Sequence, residues 1–132
     1  MKNKEESMNN RDIKKYIDKI DGILYKDYDH EIPDKPRSVD YNRIIRNMLK
    51  KMFPNATIHA TKNAWCEASG FIEQDGKFVY YGFGDYRWGD WKRGILIRTA
   101  KSLEDYTGGA NHITDIYRME DDVQWLLTLG NR

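Results

Sequence analysis

The sequence predicts an α+β domain: an antiparallel sheet of four or five strands with helices from both ends of the chain packed on it. Three observations carry this. Apolar residues recur at helical spacing near the N-terminus, in residues 40–53 and near the C-terminus, and residues 56–117 instead form short alternating runs broken by turn residues. At 132 residues the chain has room for one core. No stretch reads as a linker, so residues 11–132 are taken as one domain after a disordered start at 1–10.

Along the chain, Ile13, Tyr16, Ile17, Ile20, Ile23 and Leu24 make one stripe of a helix over 11–28, with Gly22 weakening its end. HEIPDKPRS reads as a loop. A second helix is expected from Asp40 to Phe53, capped by Ser38 or Asp40 and stopped by Pro54. Ile44, Ile45, Met48, Leu49 and Met52 form its inner face, while Arg43, Arg46, Lys50 and Lys51 form a basic outer face. Strands follow at 56–62, 65–73, 78–83 and 94–101, with a short fifth at 112–117. Met119 to Leu129 closes the chain as a helix with acids in its first turn and Gly130 after its end.

Asp75-Gly76 is a two-residue hairpin signal, and it fixes faces. It sets Ile72 opposite Val79, Gly70 opposite Tyr81 and Ala68 opposite Phe83 on an apolar face. The helix over 40–53 is the natural cover for that face. Phe71 pairs with Tyr80, and Glu73 with Phe78, on the other face. A preceding turn near Asn63 adds Ile58, Ala60 and Cys66 to the apolar side. It adds Thr57, His59, Thr61, Trp65, Glu67 and Ser69 to the polar side. The rings on that second face are expected to lie under the first helix, whose stripe needs a cover. The competing expectation is an exposed binding surface.

Charge and residue types narrow the chemistry. The net charge of +1 excludes a global field as the means of finding a partner, so attraction must be local. One cysteine, Cys66, excludes an internal disulfide and fits a cytoplasmic protein. No apolar run suits a membrane span, and the first residues lack the apolar core of a secretion signal. The scattered His30, His59 and His112 give no metal spacing, and no cofactor is implied. His59, Glu67, Tyr80 and Arg98 would share one face, a carboxylate orienting an imidazole beside an anion-holding arginine. They are the candidate ligand pocket of one alternative reading, a small nucleotide-ligand protein or enzyme, with no catalytic residue assigned.

The run YYGFGDYRWGDWKRG concentrates rings and cations between glycines. It lacks the spacing of a phosphate loop. Tyr86, Arg87, Trp88, Trp91, Lys92 and Arg93 are of the types that dominate protein interfaces, and are the expected partner-binding residues. The alternative is a nucleic-acid module, with bases stacked on these rings and phosphates on Arg43, Arg46, Lys50 and Lys51.

A basic helix ending in MFPNA, a strand, an aromatic hairpin, then ILIRTAK and DYTGGAN follow one another over residues 40–111. This order is similar to that of small accessory proteins of phages and plasmids of low-GC bacteria. The resemblance implies a non-catalytic protein that binds a host macromolecule in the host cytoplasm, as host-defence inhibitors such as anti-CRISPR proteins do. Many such inhibitors imitate DNA with an acidic surface. This chain is charge-balanced with a basic helix, so as an inhibitor it would cover a protein surface instead.

Overall fold

The structure, a computed structural model, describes residues 8–28, 35–61, 67–86, 90–106 and 109–129. Two helices, α1 (Asn10–Tyr28) and α2 (Lys35–Met52), precede five strands. These are β1 (Thr57–Ala60), β2 (Ala68–Gln74), β3 (Lys77–Phe83), β4 (Ile95–Ala100) and β5 (Asn111–Thr114). Helix α3 (Met119–Leu129) follows. The strands form one antiparallel sheet in chain order, so β1 and β5 are its edges.

The Asp75-Gly76 turn has the predicted geometry. Both residues lie at positive φ, 54° and 76°, as a mirror-image two-residue turn requires. The pairs follow from it: Ile72 with Val79, Gly70 with Tyr81, Ala68 with Phe83, Phe71 with Tyr80 and Glu73 with Phe78. Ile95 and Ile97 point inward with them, as do Thr99 and Thr114.

Helices α2 and α3 cover this face, α2 over β1 and β2, and α3 over β3 and β4. Ile45, Met48 and Leu49 of α2 are wholly buried, each worth about 1.5–3 kcal/mol relative to exposure. The first helix does not cover the other face of the sheet, contrary to expectation. Its Ile13, Ile17 and Ile20 join the same core as α2, against which α1 packs. On the far face Phe71 is covered instead by Tyr80 and by Tyr106, from the segment joining β4 to β5.

Boundaries in the N-terminal half also move. Helix α2 begins at Lys35 rather than Asp40, with Pro36 in its first turn. Proline fits there, because first-turn N–H groups have no partner within the helix. Helix α1 runs through Gly22 to Tyr28, the end that its apolar spacing predicts. The supposedly disordered start is ordered from Met8, whose N–H donates to Glu120 Oε1 at 3.3 Å; Asn9 Oδ1 then accepts the Asp12 N–H at 2.9 Å and caps α1. Residues 1–7 and Gly130 lie outside the described residues.

Candidate partner-binding cleft

The loop after β3 was expected to present its rings to a partner. Its described rings face inward. Tyr86 and Trp91 are 0% and 2% exposed. Both pack on Tyr41 of α2, with ring centroids 5.1 Å and 6.0 Å away. The Tyr41 hydroxyl donates to the Gly84 carbonyl at 2.7 Å, and the Trp91 indole N–H donates to Asp21 Oδ1 on α1 at 3.2 Å. Tyr86 and Trp91 are therefore core residues that tie the loop to both N-terminal helices. Arg87 and Trp88 lie outside the described residues, as do Trp65, Cys66 and His30.

Anchoring Trp91 pushes the residues after it outward. Arg93 is exposed, and Lys92 is half-buried with its Nζ 6.0 Å from the Trp91 ring. The Lys92 carbonyl accepts the Ile116 N–H at 3.0 Å, which joins this turn to the one after β5. The second turn is shaped by Asp115, whose Oδ1 accepts the Tyr117 and Arg118 N–H groups at 2.9 and 3.0 Å.

A cleft of about 450 Å³ opens between the two turns, lined by Lys92, Arg93, Ile113, Asp115, Tyr117 and Arg118, among others. Three cations thus meet one carboxylate, which is already engaged by two N–H groups. Among the described residues, neither Arg93 nor Arg118 has an ion-pair partner. Ile113 is 61% and Tyr117 48% exposed. On the helix side of β5, Trp125 is 51% exposed and its ring lies tilted against His112, with centroids 5.5 Å apart. Asp122 anchors that side, accepting from Thr114 Oγ1 at 2.5 Å and lying 3.3 Å from His112 Nε2.

The sequence pointed to Lys92 and Arg93 but missed Ile113, Tyr117, Arg118 and Trp125. Reading 112–117 as strand made Ile113 and Tyr117 ordinary sheet residues on one face. The helical pattern over 119–129 does offer a signal, since Trp125 falls outside the buried stripe of Met119, Val123, Leu126 and Leu127.

The other candidate groups are placed differently. Arg43, Arg46, Lys50 and Lys51 are all exposed on the outer side of α2, and Arg43 pairs with Asp40. Of the pocket set, His59, Tyr80 and Arg98 occupy one cross-strand row, but Phe71 stands between His59 and Tyr80. Glu67 is not in that row. The first hairpin pairs His59 with Phe71, and the carboxylate against His59 is Glu73, with Nε2 and Oε1 2.7 Å apart. The shift arises because the pairing is centred on residue 65 rather than Asn63: the Thr61 N–H donates to the Ser69 carbonyl at 2.9 Å.

Arg98 is buried, with its guanidinium 4.6 Å over the Tyr80 ring and an N–H donated to the Tyr106 carbonyl. Phe71, Tyr80 and Tyr106 meet edge-on around it. This row fastens the 101–106 segment onto the sheet.

Among the described residues no group of three or more His, Cys, Asp or Glu could hold a metal ion, and no helix is long and apolar enough to cross a membrane. No protein family, curated protein or solved structure matches the chain.

Proposed function

We propose that this chain is a non-catalytic binding protein that docks a partner protein on the cleft between the 90–94 and 115–118 turns. The observation that carries this is the exposure of Ile113 and Tyr117 beside Arg93 and Arg118. Aromatic residues and arginine supply most of the energy of protein interfaces, and an arginine unpaired in the free protein gains most from an acidic partner. The similarity of residues 40–111 to phage and plasmid accessory proteins supports a host macromolecule, such as a defence effector, as the target.

A second reading, nucleic-acid binding, is favoured by one feature. Arg46, Lys50 and Lys51 are exposed along α2, a helix whose sequence has no acid after Asp40. The two readings part under salt and charge reversal. The docking reading expects the double variant Arg93→Glu/Arg118→Glu to lose a protein captured by the wild type from lysate of the source cell, while oligonucleotide binding stays absent. Oligonucleotide affinity that falls steeply with salt, and that Lys50→Glu/Lys51→Glu abolishes, would replace it with the second reading.

A further inference from the structure

The docking site has a backbone component as well as a side-chain one. Among the described residues strand β5 pairs with β4 alone, so alternate residues of Asn111–Thr114 direct N–H and C=O groups away from the sheet. Exposed edges are commonly blunted by lysine, proline or an inward-pointing charge. The sequence NHIT has no lysine or proline; the strand is short, at four residues, and its inward His112 lies 3.3 Å from the Asp122 carboxylate. Instead a large apolar side chain stands exposed on each side of the edge. Ile113 lies on the far face of the sheet, and Trp125 lies on the helix side against His112.

The opposite edge is different. In β1, Ile58 is buried, the exposed residues Thr57 and Ala60 are small, and His59 is engaged with Glu73. At the C-terminal end of β5, and only there along that strand, the cleft presents Lys92, Arg93 and Arg118.

We infer that β5 accepts an extended segment of the partner as a sixth strand, with an apolar middle over Ile113 and Trp125 and a carboxylate-bearing end over Arg93 and Arg118. This rests on the docking reading above and specifies its partner. Main-chain hydrogen bonds would supply affinity without regard to sequence. Alternation of the added strand would send one side chain towards Ile113 and the next towards Trp125, so both positions favour apolar residues. The acidic end would choose the register and direction, because among the described residues the exposed arginines near β5 without an ion-pair partner lie at its C-terminal end, whereas Arg98 beside Asn111 is buried. Bidentate arginine–carboxylate pairing is both strong and directional. An added strand running antiparallel to β5 would carry its acids at its N-terminal end, and a parallel one at its C-terminal end.

The test is selection of a displayed random dodecapeptide library on the full chain. The best selected peptide is then resynthesised with alternate backbone N-methylation in each of the two possible registers. Strand addition expects selected peptides with an apolar centre and acids at one end. One N-methylation register should weaken binding at least tenfold, and the other should leave it within about twofold. Arg93→Glu/Arg118→Glu should also weaken binding tenfold or more with an unchanged urea transition.

A selection that yields no acid-ended peptides overturns the inference. So does equal tolerance of both N-methylation registers. If either occurs while the double charge reversal still abolishes capture of the protein partner, strand addition fails and docking at the cleft stands. If the reversal changes nothing in capture, the docking reading fails as well.

Discussion

Trp91 stands edge-on to Tyr41, with ring centroids 6.0 Å apart and planes at 84°, and its indole N–H reaches Asp21 on the neighbouring helix. One side chain thus links the β3–β4 loop to both α1 and α2. Trp91→Ala is expected to cost about 3–5 kcal/mol through cavity formation. Trp91→Phe keeps a ring against Tyr41 but loses the N–H donor, adding a hydrogen-bond loss of about 1 kcal/mol to a smaller packing change. Urea unfolding of the two variants measures the difference. If Trp91→Ala unfolds with the wild type, the ring is not part of the core.

Gly70 is a packing glycine. A Cβ there would lie 2.3 Å from the His59 carbonyl oxygen and 2.9 Å from the Ala60 Cα, both backbone atoms of the paired strand. Gly70→Ala should therefore push β1 from β2 and destabilise by about 1–3 kcal/mol, as overpacking does. A Cβ at Gly22, in α1, meets nothing within 4 Å. Gly22→Ala should instead stabilise by about 0.5–1 kcal/mol through helix propensity. Opposite shifts in melting temperature are expected, and a raised melting temperature for Gly70→Ala would refute the packing at Gly70.

Tyr81 provides a pH test. Burial raises its phenol well above the ordinary value, against the lowering effect of the Arg46 charge and with a smaller raising effect from Tyr80. The unfolded chain then loses this proton near the ordinary tyrosine pKa of about 10, while the folded chain keeps it. Above that pH the folded state binds more protons, so stability falls as pH rises. Below it both states are protonated and the group contributes no slope. Unfolding free energies of the wild type and Tyr81→Phe should run parallel up to about pH 9 and diverge above it, with the wild type falling faster. Parallel curves through the alkaline range would show that Tyr81 is not desolvated.

Asp115 shapes one wall of the cleft by accepting two backbone N–H groups. Asp115→Ala should cost about 1 kcal/mol, the usual worth of such a cap. It should also weaken partner binding through loss of turn geometry, although it removes a negative charge from a basic cleft. Pure electrostatics predicts the opposite, so tighter binding by Asp115→Ala would show that the turn's shape is unimportant.

Local chemistry explains what was legible in the sequence. Asp75-Gly76 admits essentially one tight turn, and the strands' alternation carries that constraint along β2 and β3. The first hairpin is centred two residues beyond Asn63, where no local turn signal marks the reversal. The resulting slip was even-numbered, so Ile58 still faces the core and His59 the far side, yet the carboxylate beside His59 became Glu73 rather than Glu67. The inward packing of Tyr86 and Trp91 was not legible, because no local pattern separates a loop ring that meets Tyr41 from one that meets water. The cleft was missed for the same reason: its two turns are far apart in sequence and are joined across space by the Lys92–Ile116 backbone bond.

Docking of the partner protein is proposed for the β5 end of the sheet. Site-directed photo-crosslinking tests it most directly, with benzoylphenylalanine placed at Tyr117 in the cleft, at Lys51 on α2 or at Asp75 on the hairpin tip, in the source cell. We expect a single protein adduct from position 117 and none from 51 or 75. Adducts from position 51 alone, or to nucleic acid in place of protein, would contradict it.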